Sequence, residues 1–203
     1  MDAEAQNHCT AFKGARCIAS GELAEVAVKA KAAVDKGEQV LIFDDTTSES
    51  IELDFRGSSE DVVRRLARPD SREATAVSDA ARGPGRPKLG VVAREVTLLP
   101  RHWGWLNAQP GGASVALRKL VEEARRANEG KDRVRRSQEA AYRFMSVMAG
   151  NRPGFEEATR ALFAGHRERF ERLVEPWPRD VRNHARKLAT AALDADTQAQ
   201  TRS

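Results

Sequence analysis

The sequence predicts an α+β fold: a small N-terminal α/β unit, a central strand–helix–helix, and a C-terminal α-helical unit. Three observations predict it. Short β-branched and aromatic runs flank one helix-periodic stretch before Ala67. Beyond Val91, apolar residues recur at helical spacing almost to the end. Between these parts, residues 68–90 are rich in Pro, Gly and charge and carry no apolar period.

The N-terminal unit is expected over residues 8–67. "TAFKGARCIASG" reads as an extended pair turning at Lys13-Gly14. In "ELAEVAVKAKAAVDKG", Leu23, Val26, Ala30 and Val34 share one helical face, and Gly37 closes the helix. "EQVLIFDD" reads as a buried strand. "SIELDF" alternates Ile51, Leu53 and Phe55 inward with Glu52 and Asp54 outward, so the polar "DDTTSES" between them makes a hairpin. Ser58 and Asp61 stand at capping-box spacing before "VVRRLA". The order β-β-α-β-β-α implies a sheet with helices to one side. Asp44, Asp45 and Asp54 offer oxygen donors near the hairpin, but no His or further carboxylate has partner spacing, so no metal site is expected.

Residues 68–90 form a flexible basic linker. Residues 91–127 then read as strand, helix, turn, helix: "REVTLLP", "RHWGWLNAQ", "PGGAS", "VALRKLVEEARRA". Pro100 suits a first helical turn, and Ser114 is a good N-cap after the turn. Leu117, Leu120, Val121 and Ala124 would line the inner face of the second helix. A lone strand leaves its backbone groups unpaired; the same strand of a second chain solves this by two-fold symmetry, so a homodimer is expected.

A break at Asn128–Gly130 opens the C-terminal unit, residues 131–193. Val134, Tyr142, Met145 and Met148 offer one packed face, and Phe155, Ala158, Leu162 and Phe163 another, the latter on a helix with Pro153 near its first position and Gly165 at its end. Phe170, Leu173 and Val174 follow. Trp177 lies between Pro176 and Pro178, and Val181, Ala185, Leu188 and Leu193 mark the last helix, before a frayed tail.

Charge is unevenly spread. The 203 residues carry a net +4, yet residues 1–81 hold 10 Lys+Arg against 16 Asp+Glu, whereas residues 82–143 hold 14 against 6. A local positive excess is an electrostatic footprint for a polyanion, most often nucleic acid. No apolar run approaches the roughly 20 residues of a membrane span, and the N-terminus shows no apolar secretory stretch. Cys9 and Cys17 are the only cysteines. These features fit a cytoplasmic protein without a membrane role.

The strand–helix–helix order resembles the ribbon–helix–helix DNA-binding fold, in which paired strands of a dimer enter the major groove. The resemblance implies that Arg94 with Glu95/Thr97, or with Val96/Leu98, faces the groove. It also implies that the Gly112, Ala113 and Ser114 amides clamp a phosphate, with Arg118 and Lys119 adding backbone contacts. In the linker, Gly85-Arg86-Pro87 resembles the core of an AT-hook. Pro fixes an extended backbone, Gly permits close approach, and Arg82, Arg86 and Lys88 supply charge for a narrow minor groove.

A wider pattern joins "LIFDD", "GRPKLGVVAREVTLLPRHW", "QPGGAS", "ALRKLVEEAR", "AAYRFM" and "GFEEATRALFAG". From about Cys9 to Leu188 the chain resembles an uncharacterised bacterial family, domain of unknown function 2239. The resemblance implies a bacterial cytoplasmic protein and supplies no catalytic residue.

Catalytic signatures are missing. His8, His102, His166 and His184 lie far apart, and there is no P-loop, G-x-S-x-G or dinucleotide fingerprint, so neither enzyme activity nor a cofactor is expected. The expected function is that of a dimeric, transcription-regulator-like DNA binder. The rival is an adaptor that docks a protein partner through its C-terminal helices, with Trp103, Trp105 and Trp177 as anchors.

Overall fold

The computed structural model describes residues 8–67 and 94–200. The linker with its AT-hook-like arm, including Arg82, Arg86 and Lys88, lies outside the described residues. The elements are β1 (His8–Lys13), β2 (Arg16–Glu22), α1 (Leu23–Val34), β3 (Val40–Asp44), α2 (Ser59–Leu66), α3 (Pro100–Asn107), α4 (Gly112–Ala149), α5 (Phe155–Phe163), α6 (Arg167–Val174) and α7 (Arg179–Gln200). The class is α+β.

The three strands form one antiparallel sheet in the order β2-β1-β3, with a register shift between Ala11 and Phe12. The first pair turns at Gly14, whose φ of 53° a side chain would resist. The central strand is buried on both faces, which corrects the expectation of helices to one side. Cys9 and Ala11 join Val26 and Ala30 of α1 in one cluster. Phe12 and Phe43 join Phe144, Met145, Val181 and Ala185 from α4 and α7 in the other.

Segment 51–55 keeps the expected alternation, since Ile51, Leu53 and Phe55 are half-buried against α1's cluster while Glu52 and Asp54 are exposed. It is not a strand, however. Pairing stops after a Phe43–Ser50 bridge and the bond from the Ile51 amide to the Ile42 carbonyl. Arg65 of α2 then holds the Asp54 carbonyl at 2.6 Å, serving the backbone that a sheet partner would have served. The Ser58–Asp61 capping box is formed as the spacing requires.

Two compact units result, divided differently from the expectation. Residues 8–67 and 130–200 belong to one, and residues 94–129 to the other. The N-terminal sheet and the C-terminal helices therefore share a core instead of forming separate units. Helix α4 runs unbroken through Asn128–Gly130, where a break was expected. A helical Gly costs about 1 kcal/mol relative to Ala. Intrahelical pairs of Arg125 and Arg126 with Glu122, and of Arg135 with Asp132, support the helix on either side of it. Beyond them, Ala140, Ala141 and Phe144 are anchored in the core.

Smaller corrections follow from the caps. Helix α5 starts after Gly154, in a left-handed conformation at φ 79°, so Pro153 stands ahead of the helix. The frayed tail expected after Leu193 is helical to Gln200. Phe163 is half exposed, and Ala161 takes its place in the buried stripe.

Candidate nucleic-acid interface

Residues 94–129 contain most of the residues singled out for DNA contact. Arg94, Glu95, Val96 and Thr97 are exposed, and no alternation of burial runs through them. They form no strand with the described residues, and the backbone of residues 94–98 makes no hydrogen bond to them. Leu99 is extended and N-caps α3, its carbonyl accepting the His102 and Trp103 amides at 2.9 and 3.2 Å. Pro100 takes the first helical position, where its missing N–H costs nothing.

The turn into α4 is built by glycine rather than by a serine cap. Gly111 and Gly112 both have positive φ, and α4 begins at Gly112, placing Ser114 inside the first turn instead of at the N-cap. The Gly112 amide already donates to the Gln109 carbonyl at 2.9 Å. Of the three proposed clamp amides, only those of Ala113 and Ser114 therefore remain to point at a ligand. Arg118 and Lys119 are exposed on the next turn. Arg118 Nε donates to the Ser114 carbonyl at 3.1 Å, and neither side chain has an ion-pair partner among the described residues.

The expected inner face of this helix is not covered within its unit. Leu106 and Ala116 are buried, but Leu120 and Val121 are 43% and 63% exposed. Trp105 and Leu99 are also about half exposed. By contrast Trp177, named as a docking anchor, is a core residue whose indole N–H donates to the Pro153 carbonyl at 3.1 Å.

The other unit holds a feature that the sequence alone did not reveal. Residues 130–140 of α4, residues 187–194 of α7 and the turn at Asp45 enclose an open groove of about 1080 Å³. Ser137 fixes the two helices: its hydroxyl donates to the Leu188 carbonyl at 2.6 Å and accepts from the Ala192 amide at 3.0 Å. At the groove's edge Lys187 Nζ donates to Asp45 at 2.6 Å, and the same carboxylate accepts from Thr10 at 2.6 Å. Burial pushes the Asp45 carboxyl up, but these two hydrogen bonds outweigh it and hold it below its ordinary range.

Close by, His184 packs its ring against Phe144 at 4.5 Å and Phe12 at 5.5 Å. Burial pushes this imidazole down to about 4, so it is neutral at physiological pH. Both cysteines are free thiols. Among the described residues no group of His, Cys, Asp and Glu could hold a metal ion. Nor is any described helix long and apolar enough to cross a membrane.

The groove cations Lys131, Arg133, Arg136 and Lys187 were missed because their convergence depends on packing between helices distant in sequence. The "KDRVRR" run signalled the charge, though not the concavity. No curated protein and no solved structure matches the chain. A family model described as an uncharacterized protein conserved in bacteria does match, over residues 8–189, and the chain belongs to that family, DUF2239.

Proposed function

We propose that this protein is a non-enzymatic, cytoplasmic DNA-binding protein of the transcription-regulator type. It acts as a homodimer through its central segment and is assisted by the Arg82–Lys88 arm. The observation that carries the reading is the condition of residues 94–119. Residues 94–98 have no backbone partner among the described residues, Val96 and Leu99 are exposed, and α4 presents Arg118 and Lys119 without a carboxylate partner among the described residues. The same segment of a second copy would pair that backbone and cover those side chains. The two cations, with the Ala113 and Ser114 amides, would then hold phosphates.

The test is fluorescence-anisotropy titration of A·T-rich and G·C-rich duplexes across a salt series, with the oligomeric state measured in parallel. Micromolar or tighter binding by a dimer, falling steeply with salt, is expected. Removing Arg86 and Lys88 should weaken binding more on the A·T-rich duplex. Leu99→Asp isolates the dimer, because Leu99 is half exposed and Asp is a better N-cap than Leu for α3. A variant that stays dimeric with unchanged binding refutes the paired strand.

Exposed Trp105, Leu120 and Val121 favour a second reading, in which this face docks a protein partner. No duplex binding at low salt would leave that reading standing.

A further inference from the structure

We infer that the groove between α4 and α7 is a second phosphodiester site, formed by Lys131, Arg133 and Arg136 and separate from the residues of the central segment. The inference rests on the reading of the chain as a DNA binder. Its basis is the balance of charges that are already satisfied. Two carboxylates line the groove, and both are committed: Asp45 to Lys187 and Thr10, and Asp194 to Arg167. Two of the cations are committed as well, Lys187 to Asp45 and Arg135 to Asp132 and Glu139. Lys131, Arg133 and Arg136 are exposed and have no ion-pair partner among the described residues; Arg136 makes only a 3.3 Å bond to the Asp132 carbonyl. The wall thus carries three uncompensated positive charges and no uncompensated negative one. A concave surface of one sign focuses potential and concentrates an anion.

The layout selects the class of anion. The three cations stand along one helix, spread over about 7 Å of its axis at 1.5 Å per residue. Residues two apart on a helix of 3.6 residues per turn point to different sides, so Lys131 and Arg133 do not converge on one small anion, and the three cations offer separate contacts to an extended polyanion. The apolar lining comes from small and aliphatic residues, among them Val134, Ala140 and Ala191, with no aromatic ring. A single strand held by base stacking needs aromatic platforms, so the groove suits the sugar–phosphate edge of a duplex.

The experiment compares the full-length wild type with a Lys131→Ala/Arg133→Ala/Arg136→Ala variant and, separately, with Arg118→Ala/Lys119→Ala. All are titrated against one mixed-sequence duplex across a salt series. Because the three groove side chains are exposed, helicity by circular dichroism should be unchanged. At about 0.1 M salt the triple variant should bind at least ten-fold more weakly, and its log–log salt slope should fall by about two to three. The charge-conserving Lys131→Arg/Arg133→Lys/Arg136→Lys variant should restore most of both.

Unchanged affinity and slope in the triple variant, with Arg118→Ala/Lys119→Ala weakened, overturns the groove site and leaves the DNA-binding reading intact. A wild type that binds no duplex overturns both. Polyglutamate serves as the competing probe: retention of it that depends on the groove cations, with duplex binding independent of them, overturns the inference in favour of an acidic protein partner.

Discussion

Lowering the pH from 7 to 5 should destabilise the protein by about 2 kcal/mol through His184 alone. The imidazole is 7% exposed and wedged between Phe12 and Phe144, and its Nε2 has no hydrogen-bond partner among the described residues. Burial is the main cause that brings it down from an ordinary 6.5 to about 4. The folded state therefore resists a proton that the unfolded chain accepts. Stability falls as pH drops through the unfolded value, and the loss is complete near the folded one. Integrating the two titration curves from pH 7 to pH 5 gives about 2 kcal/mol, at about 1.4 kcal/mol per pKa unit. Asp45, the half-buried carboxylate whose charge acts on His184, is held below its ordinary value and so titrates beneath this window. The assay is urea unfolding at both pH values for the wild type and for His184→Phe, which keeps a ring in the slot and deletes the titration. The variant should lose about 2 kcal/mol less than the wild type on acidification. Equal losses in the two proteins would refute the claim that a neutral, buried His184 sets the acid sensitivity.

Two further outcomes test the shared core and the sheet. Phe144→Ala removes the ring that meets Phe12 and Phe43 at 5.3 Å each, and should cost about 3–5 kcal/mol in urea unfolding; a cost below about 1 kcal/mol would mean that the sheet does not depend on α4. In native protein a thiol reagent should modify Cys17 well before Cys9. Cys9 is fully buried, and burial, with Asp45 and Asp44, pushes its thiol up to about 11. Equal labelling rates at the two positions would contradict that burial.

Features fixed by neighbours in sequence were legible. The Ser58–Asp61 box, the α1 face with Gly37 behind it, Pro100 opening α3, and the apolar stripe of α7 all depend on residues within a turn or two. Features fixed by tertiary packing were not. "CTAF" reads the same whether a strand is covered on one face or two, and only the arrival of Phe144 and His184 on the Phe12 side decides it. The "NEG" tripeptide predicts a break from Gly propensity, but the flanking ion pairs and the anchored half beyond it outweigh a penalty of about 1 kcal/mol. Ser114 has the chemistry of a cap, yet the positive-φ glycines ahead of it had already started the helix. In the candidate site, Arg118 and Lys119 were singled out from position alone and are exposed, whereas the groove needed α7 to be laid beside α4.

The same distinction governs what the positive charge can do. The excess over residues 82–143 is not the charge that a ligand meets, because much of it is spent within α4. Glu122 engages both Arg125 and Arg126, and Asp132 and Glu139 engage Arg135. Exposed pairs of this kind are worth little to stability, but they lower the field of the arginines they hold. Breaking one to bind a phosphate exchanges one anion for another with small net gain. Among the described residues of this stretch, those left without a carboxylate partner are Arg94, Arg101, Arg118 and Lys119 in one unit, and Lys131, Arg133 and Arg136 in the other. Counterion release counts cations that exchange small ions for phosphates, so the salt slope measures this unpaired set and not the sequence total. The fall in slope on removing Lys131, Arg133 and Arg136 therefore measures the groove's share, at about 0.9 per cation; no fall would leave the groove empty and assign binding to the central segment and the Arg82–Lys88 arm.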